Sequence, residues 1–485
     1  MDIFKIQALV AEGKILKSGD FDPFNSYLQV GVYQNGNRKA GAGNPDSYPP
    51  FAIPISELVS PDLKNYLIVD PQYGNDGTAV PYDTHKPYRT VDSAMLNAKA
   101  GDTIVLNPGF HSTFSNILSQ SYNFYCMPGA TWFIYLSNST QADRSLNIYG
   151  HGDILWNSVL DVQGAYNGSI TIECNTLNFA NYAYLIPGVV DNINRVFRIR
   201  AKKLTQNGVT GMIIVSPWIL DIEAYEYVGN VYGPGGAGIA DFWMNNDSSA
   251  GGENVSSIVF ENAYANHAVF SFWGDATFVN TSLGGSNNKL FVDINNLVVN
   301  NNPLSPGGPF MWRVGPCQWQ TYFKVNRAVL NNCTVILDQS VGAAKGLLEG
   351  KYYVNIPAGV GQQYTPFWIG NMILECKADV IASVTDNPVF EIYLNGQVDI
   401  NDGKIVTGTT SGTEIAIRKS GGAASKLRLK DAKIIGSSSI IGLTGGGEDV
   451  EIYSCYTNIA PVNVINTLAP DTAFVVNAAM TDNNF

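Results

Sequence analysis

Asp221 and Glu223 flank Ile222 in the run Trp218-Ile219-Leu220-Asp221-Ile222-Glu223. On an extended strand with Ile222 turned inward, both carboxyls leave the same face about 7 Å apart. That separation suits a general acid and a general base working on a glycosidic bond. The same two residues also suit the solvated outer face of a strand, and both readings stand at this point. Asp241, Asp247, Glu261, Asp275 and Asp293 are further acids nearby in the chain, without a signature spacing. Five of the eight tryptophans, Trp218, Trp243, Trp273, Trp312 and Trp319, crowd the same central stretch. Exposed indoles stack on sugar faces, so Trp218, Trp243 and Trp273 are candidates for a carbohydrate groove. Core packing or a subunit interface would use the same side chains.

Other chemistry finds little support. His85, His111, His151 and His267 are widely separated, and His111, just after Pro108-Gly109, reads as a loop residue rather than a base. No Ser-His-Asp spacing, P-loop or GxGxxG stands out, and the glycine runs at Gly233–Gly238 and Gly445–Gly447 lack strand–helix context and read as loops. Cys126, Cys174, Cys317, Cys333, Cys376 and Cys455 are scattered, with no CxxC pair and no nearby histidine. They suit neither structural zinc nor a disulfide framework and read as small buried hydrophobes. No metal or cofactor is expected.

Composition sets the wider limits. Charged residues make up 14% of the 485 positions, against roughly 25% in an average soluble protein. The 45% apolar content, 48 glycines and 11% aromatics exclude disorder and a coiled coil. A net charge of −12, from 29 basic against 41 acidic residues, argues against a nucleic-acid partner. No apolar stretch approaches the ~20 residues of a membrane span, and Ile213–Leu220 is interrupted by Ser216 and Pro217. The chain opens Met1-Asp2-Ile3-Phe4-Lys5, acidic where a secretory signal is basic. Synthesis in a cytosol without export by the ordinary secretory route is expected.

These residues must be positioned by extended structure. Residues 1–66 read as a small β module: Tyr27–Tyr33 alternates into Asn35-Gly36, a hairpin signal. Pro45, Pro49, Pro50 and Pro54 then mark a stiff connector in which no regular element is expected. Val91, Ala94, Met95 and Ala98 fall at helical spacing with Thr90 or Asp92 as cap. Beyond them a pattern recurs, with apolar residues at 0 and +2, often a small or apolar one at +4, and another at +7. It runs Ile170, Ile172, Cys174, Leu177; then Phe197, Ile199, Ala201, Leu204; then Leu220, Ile222, Ala224, Tyr227. It returns at Leu290, Val292, Ile294, Leu297, and with a polar +4 at Phe323, Val325, Leu330 and at Leu427, Leu429, Ile434. Alternation keeps one face inward, and the step of three marks a two-residue bend. Asn175, Asn295, Asn296, Asn331 and Asn332 sit at or near such bends, where a left-handed backbone is expected. Repetition at this scale marks a solenoid, with its body over 67–460 and a C-terminal cap or tail over 461–485.

The stretch from Asp70 to Gly109 resembles the opening of the right-handed parallel β-helix proteins, the pectate-lyase-like group. Asp70, Gly74, Asp76, Gly77, Thr78, Thr90, Ala94, Ala98, Gly101, Asp102, Thr103, Ile104, Pro108 and Gly109 carry the match. The resemblance implies an all-β, right-handed parallel β-helix with a short N-terminal capping helix. It does not carry catalytic residues over, because the calcium-binding acids and basic residue of the group's lyases have no counterpart motif here. The missing signal, the distinct N-terminal module and the low-charge solenoid together resemble bacteriophage tail spikes and fibres. Lys17–Leu58 is also similar to structural proteins of phages infecting gut Bacteroidales. That resemblance implies a virion protein assembled in the host cytoplasm, a homotrimer held to other virion proteins through residues 1–66. It implies host-surface binding without catalysis. The alternatives are a depolymerase cleaving host glycan through Asp221 and Glu223, or a bacterial pectate-lyase-like enzyme.

Overall fold

The computed structural model describes residues 27–29, 52–54, 65–113, 120–135, 145–157, 160–162, 168–180, 183–185, 195–207, 212–215, 218–229, 240–245, 255–265, 268–272, 289–300, 310–314, 320–331, 334–338, 344–355, 365–370, 372–383, 388–393, 395–407, 415–419, 425–435, 439–443, 449–453, 455–457 and 465–467. The chain divides into two units, Met1–Asn65 and Tyr66–Phe485. In the first, Tyr27–Gln29 pairs antiparallel with Ala52–Pro54. The expectation that no regular element tolerates the proline-rich stretch is therefore corrected. Pro54 stands at the end of its strand in a two-stranded sheet, where a missing donor is tolerated.

The second unit is a parallel β-solenoid, and its logic is visible in one strand. Along Ile170–Phe179, Ile170, Ile172 and Cys174 are buried, Asn175 and Thr176 are both partly exposed, and Leu177 and Phe179 are buried again. Alternation drives one side inward, and the two consecutive outward residues turn the strand so that alternation resumes on a second face. Every such strand pairs in parallel with the next coil. One inward column thereby runs Leu67, Ile104, Phe124, Ile148, Ile172, Ile199, Ile222, Ile258, Val292 without a break. It continues through Phe323, Leu348, Cys376, Ile400, Leu429 and Ile452. All are buried. From Leu160 onward the coils add a third side, a separate 12-stranded parallel sheet from Leu160–Val162 to Ile465–Thr467. Side chains from the three sides meet along the axis, with the stacked pairs Tyr227–Phe260 and Phe367–Phe390 among them.

Two details depart from the sequence expectation. The repeat frame at Phe323 is shifted by two: Phe323 aligns with Val292, and Thr321 occupies the first inward position opposite Leu290. The frame read from Phe323 puts Arg327 inward and the bend after it, whereas the structure bends at Asn326-Arg327 and buries Ala328. Asn175, Asn295, Asn296 and Asn331 lie within strands and none has a left-handed backbone, and Asn332 lies outside the described residues. Among the described residues, only Tyr82, Asp402 and Asp431 combine a positive φ with a side chain. The amides instead bond from coil to coil: Asn326 to Asn295 at 2.8 Å, Asn295 to Glu261 at 2.5 Å, Asn296 to Asn262 at 3.1 Å. A second ladder runs Asn355, Asn331, Asn300 at 2.7 and 2.6 Å.

The helix Val91–Asn97 forms as its spacing predicts. Thr90 Oγ1 accepts the Ser93 N–H, and Val91, Ala94 and Met95 pack on the first strands. The residues that carried the family resemblance have structural work here. Asp76 accepts the backbone N–H groups of Arg89 and Thr90 and the Thr90 hydroxyl. These bonds outweigh its partial burial and hold its carboxyl below the usual range. Asp102 accepts Tyr82 Oη–H and the Lys99 N–H. At Gly74 an added Cβ would lie 2.1 Å from the Tyr88 carbonyl oxygen, so this turn closes only without a side chain.

Candidate functional site

The strand Trp218–Gly229 buries Ile222 and turns Asp221 and Glu223 outward, as their spacing predicts. The preceding coil, Arg195–Gln206, places Arg198 opposite Asp221, Arg200 opposite Glu223 and Lys203 opposite Glu226. Arg198 Nε donates to Asp221 Oδ2 at 2.8 Å, and Arg200 Nη2 donates to Asp221 Oδ1 at 2.6 Å. Arg200 Nε lies 3.3 Å from Glu223 Oε2, and its Nη1 also donates to the Asp221 and Ile199 carbonyls. Lys203 Nζ meets Glu226 Oε1 at 2.8 Å. Partial burial pushes the Asp221 carboxyl up, but the two guanidinium groups more than offset this and hold it below the usual carboxylate range. A carboxylate so held is a poor proton donor. The strength of this array lies in its connection, since single exposed pairs contribute only ~0.2–1 kcal/mol.

The outward column that holds Asp221 continues through Ser257 to Phe291 and Tyr322. The two rings stack with centroids 4.7 Å apart and planes 9° from parallel. Phe291 is 43% exposed, Tyr322 Oη donates to Gln320 Oε1 at 3.2 Å, and the Asp293–Lys324 ion pair stands alongside at 3.2 Å. Stacked in this way the rings cover one another's inner faces, and the pair presents an apolar edge flanked by hydrogen-bonding groups. The sequence reading, drawn to tryptophan, passed over this pair. Its signal was an aromatic at the same outward position in consecutive repeat units.

The tryptophans do not share one sheet. Trp218 begins the strand paired with Arg195–Gln206, whereas Trp243 and Trp312 belong to strands of the 12-stranded sheet. Trp273 and Trp319 lie outside the described residues, as do Asp247 and Asp275. Asp293 and Glu261 are taken up by Lys324 and Asn295.

His111 departs from expectation. It lies within the strand Gly109–Thr113, buried, with Nε2 2.6 Å from the Asn107 carbonyl. The Pro-Gly turn ends before it, and its ring takes an inward position that alternation assigns. Burial pushes its pKa down, against smaller upward effects of the Asn107 carbonyl and Asp70. Cys126, Cys174, Cys376 and Cys455 are buried free thiols, with burial pushing Cys126 and Cys376 up to about 12. Among the described residues no cluster of three or more His, Cys, Asp or Glu could hold a metal, and no helix is long and apolar enough to cross a membrane.

Past the bend, a different outward column is apolar throughout. It runs Val228, Tyr264, Val298, Val329, Tyr353, Ile381, Val406, Ile435 in consecutive coils. Tyr264 is 47% exposed and Ile381 38%. On one side stand Glu226, Asn262, Asn296, Arg327, Lys351, Asp379, Lys404 and Lys433. On the other is the amide ladder Asn300–Asn331–Asn355. In comparison with known proteins, no family model, curated protein or solved structure matches the chain.

Proposed function

We propose that this chain is a structural protein of a bacteriophage particle, a tail spike, tail fibre or head fibre. In this reading residues 1–66 join it to other virion proteins and the solenoid serves host-surface binding. One observation carries the reading: the acids, arginines and bend amides of these outward columns are spent on bonds between coils. Asp221 and Glu223 are bound to Arg198 and Arg200, and the bend amides are bound to one another. A surface built this way resists deformation and offers a regular wall, which suits mechanical display better than proton transfer. Deletion of residues 1–66 is expected to leave a solenoid with a native circular-dichroism spectrum that no longer enters particles. Incorporation at normal levels would refute the attachment role.

A second reading has its own support. Asp221, Phe291 and Tyr322 lie in one outward column, so an acid and an apolar aromatic pair face a common ligand path. On this reading the chain binds or cleaves a surface polysaccharide of the host. Release of reducing ends or unsaturated sugars from that polysaccharide tests cleavage. Activity that survives Asp221→Asn and Glu223→Gln removes those residues from the reaction.

A further inference from the structure

We propose that the N-terminal cap of the solenoid, residues 70–102, is an acid-released latch whose trigger is the His111 ring. The inference goes beyond the virion reading and holds whatever the chain binds. His111 opens an inward column and stands opposite Trp132, which is followed by Ile154, Leu177 and Leu204. The ring is buried. Its Nε2 lies 2.6 Å from the Asn107 carbonyl oxygen, which only accepts, so Nε2 carries the proton of the neutral ring. Among the described residues Nδ1 is buried with no hydrogen-bond partner. A second proton turns that atom into an unpaired donor on a buried cation, a costlier state than the neutral ring.

The groups around the ring do not meet that need. Its own strand, Gly109–Thr113, and the paired strand Ala130–Ile134 hold no other titratable side chain. The helix Val91–Asn97, packed on the same strand, buries Val91, Ala94 and Met95 and has one acid, Asp92, in its first turn. Asp70 in the cap raises the proton affinity of the ring, but burial outweighs it. Both Asp70 oxygens are already engaged, Oδ1 by the Gln72 and Tyr73 N–H groups and Oδ2 by Asn107 Nδ2 at 3.0 Å.

Asn107 connects the ring to the cap. Its carbonyl accepts from His111, its backbone N–H donates to the Val69 carbonyl, and its amide donates to Asp70. The Asp70 carbonyl accepts from Gly74 and the Asp70 N–H donates to Tyr88, two residues before the helix cap Thr90. A ring that leaves its inward place therefore withdraws from the residue that anchors the start of the cap. The cap is also strained. Tyr82 sits at φ +67°, a left-handed backbone that disfavours a bulky side chain, and its hydroxyl is pinned to Asp102 at 2.9 Å. Partial burial raises the Asp70 and Asp76 carboxyls and accepted hydrogen bonds lower them, the bonds prevailing, so neither titrates between about pH 7 and 5.

Hydrogen exchange of the full chain, taken relative to the intrinsic rate at each pH, tests the latch. Between about pH 7 and 5 the helix Val91–Asn97 is expected to lose protection, by up to ~10-fold per pH unit for one linked proton. The coil Ile170–Phe179 is expected to keep its protection. In His111→Gln, which keeps a donor for the Asn107 carbonyl and takes up no proton, the helix is expected to hold across the same range. Wild-type protection that does not change with pH, a loss shared equally by the distant coil, or a loss that persists in His111→Gln overturns the proposal. If the variant misfolds, the slow exchange of the His111 Cε1–H, read on its own peptide in the wild type, gives the midpoint at which the ring titrates. A midpoint shared with helix opening supports the latch, and a helix that opens while the ring is still neutral overturns it.

Discussion

Gly350 is expected to be the most sensitive single position in the solenoid. The coil Gln320–Asn331 turns with two outward residues, Asn326 and Arg327, whereas the coil Ala344–Asn355 turns with one. The register accordingly jumps from Val325↔Gly350 to Arg327↔Lys351, leaving Asn326 without a residue opposite. Gly350 absorbs the mismatch at φ +113°, and an added Cβ would lie 1.6 Å from the Val325 carbonyl oxygen and 2.6 Å from its carbon. A side chain in positive-φ backbone costs ~1–2 kcal/mol. Moving the strand off Val325 also weakens one or two ladder hydrogen bonds worth ~1 kcal/mol each. Gly350→Ala is therefore expected to lose roughly 2–4 kcal/mol, a severe change for one methyl group. A solenoid coil touches only its neighbours, so the damage stays local and uncouples the coils before Gly350 from those after it. Calorimetry should show the wild-type transition split in two, with Lys351→Ala as a control that leaves it whole. A single transition within ~0.5 kcal/mol of wild type would show that the bend yields, and the geometric argument would be wrong.

Three further outcomes follow from the electrostatics. Asp221 has its folded pKa held down, so its stabilisation is present above the unfolded value of 3.8 and is lost as pH falls through the folded one. Asp221→Asn is expected to cost ~0.5–1 kcal/mol in dilute buffer, and chemical denaturation in about 1 M salt should shrink that difference. His111 is stabilised neutral, since burial depresses its folded pKa below the unfolded value of 6.5. Its contribution is complete above that value and is lost as pH falls from there towards the folded pKa. Hydrogen-exchange protection in the strand Gly109–Thr113, taken relative to the intrinsic rate at each pH, should fall as pH drops below the unfolded value of 6.5. His111→Gln, which keeps a donor for the Asn107 carbonyl, should flatten that slope. Cys126 and Cys376, pushed up to about 12, should resist iodoacetamide at about pH 8 until the solenoid is denatured. Labelling in the native protein would contradict their burial.

The solenoid was legible because its signal is local and repeated. Ile170, Ile172, Cys174 and Leu177 state the inward face and the bend within eight residues, and the units at Phe197, Leu220 and Leu290 restate it. The helix was legible for the same reason, through Thr90 and the spacing of Val91, Ala94 and Met95. Asp221 and Glu223 were correctly set on one outward face, since that follows from period two within a single strand. What surrounds them was not legible. Arg198 and Arg200 stand 23 residues before their partners in sequence, and only the stacking register brings them opposite. The stacked Phe291–Tyr322 pair is separated by 31 residues and was hidden in the same way.

Alternation of apolar and polar residues is a property of the chain's own backbone geometry, so the sequence alone determined that strands form and, in units such as Ile170–Leu177, which side is buried and where the strand turns. Which coil lies against which depends on the length of the intervening segment and on the register chosen by packing across the axis, terms that no local window contains. The tertiary structure therefore decided that the two acids meet arginines, that the bend asparagines bond to each other in extended backbone, and that apolar residues from eight coils fall into one outward line.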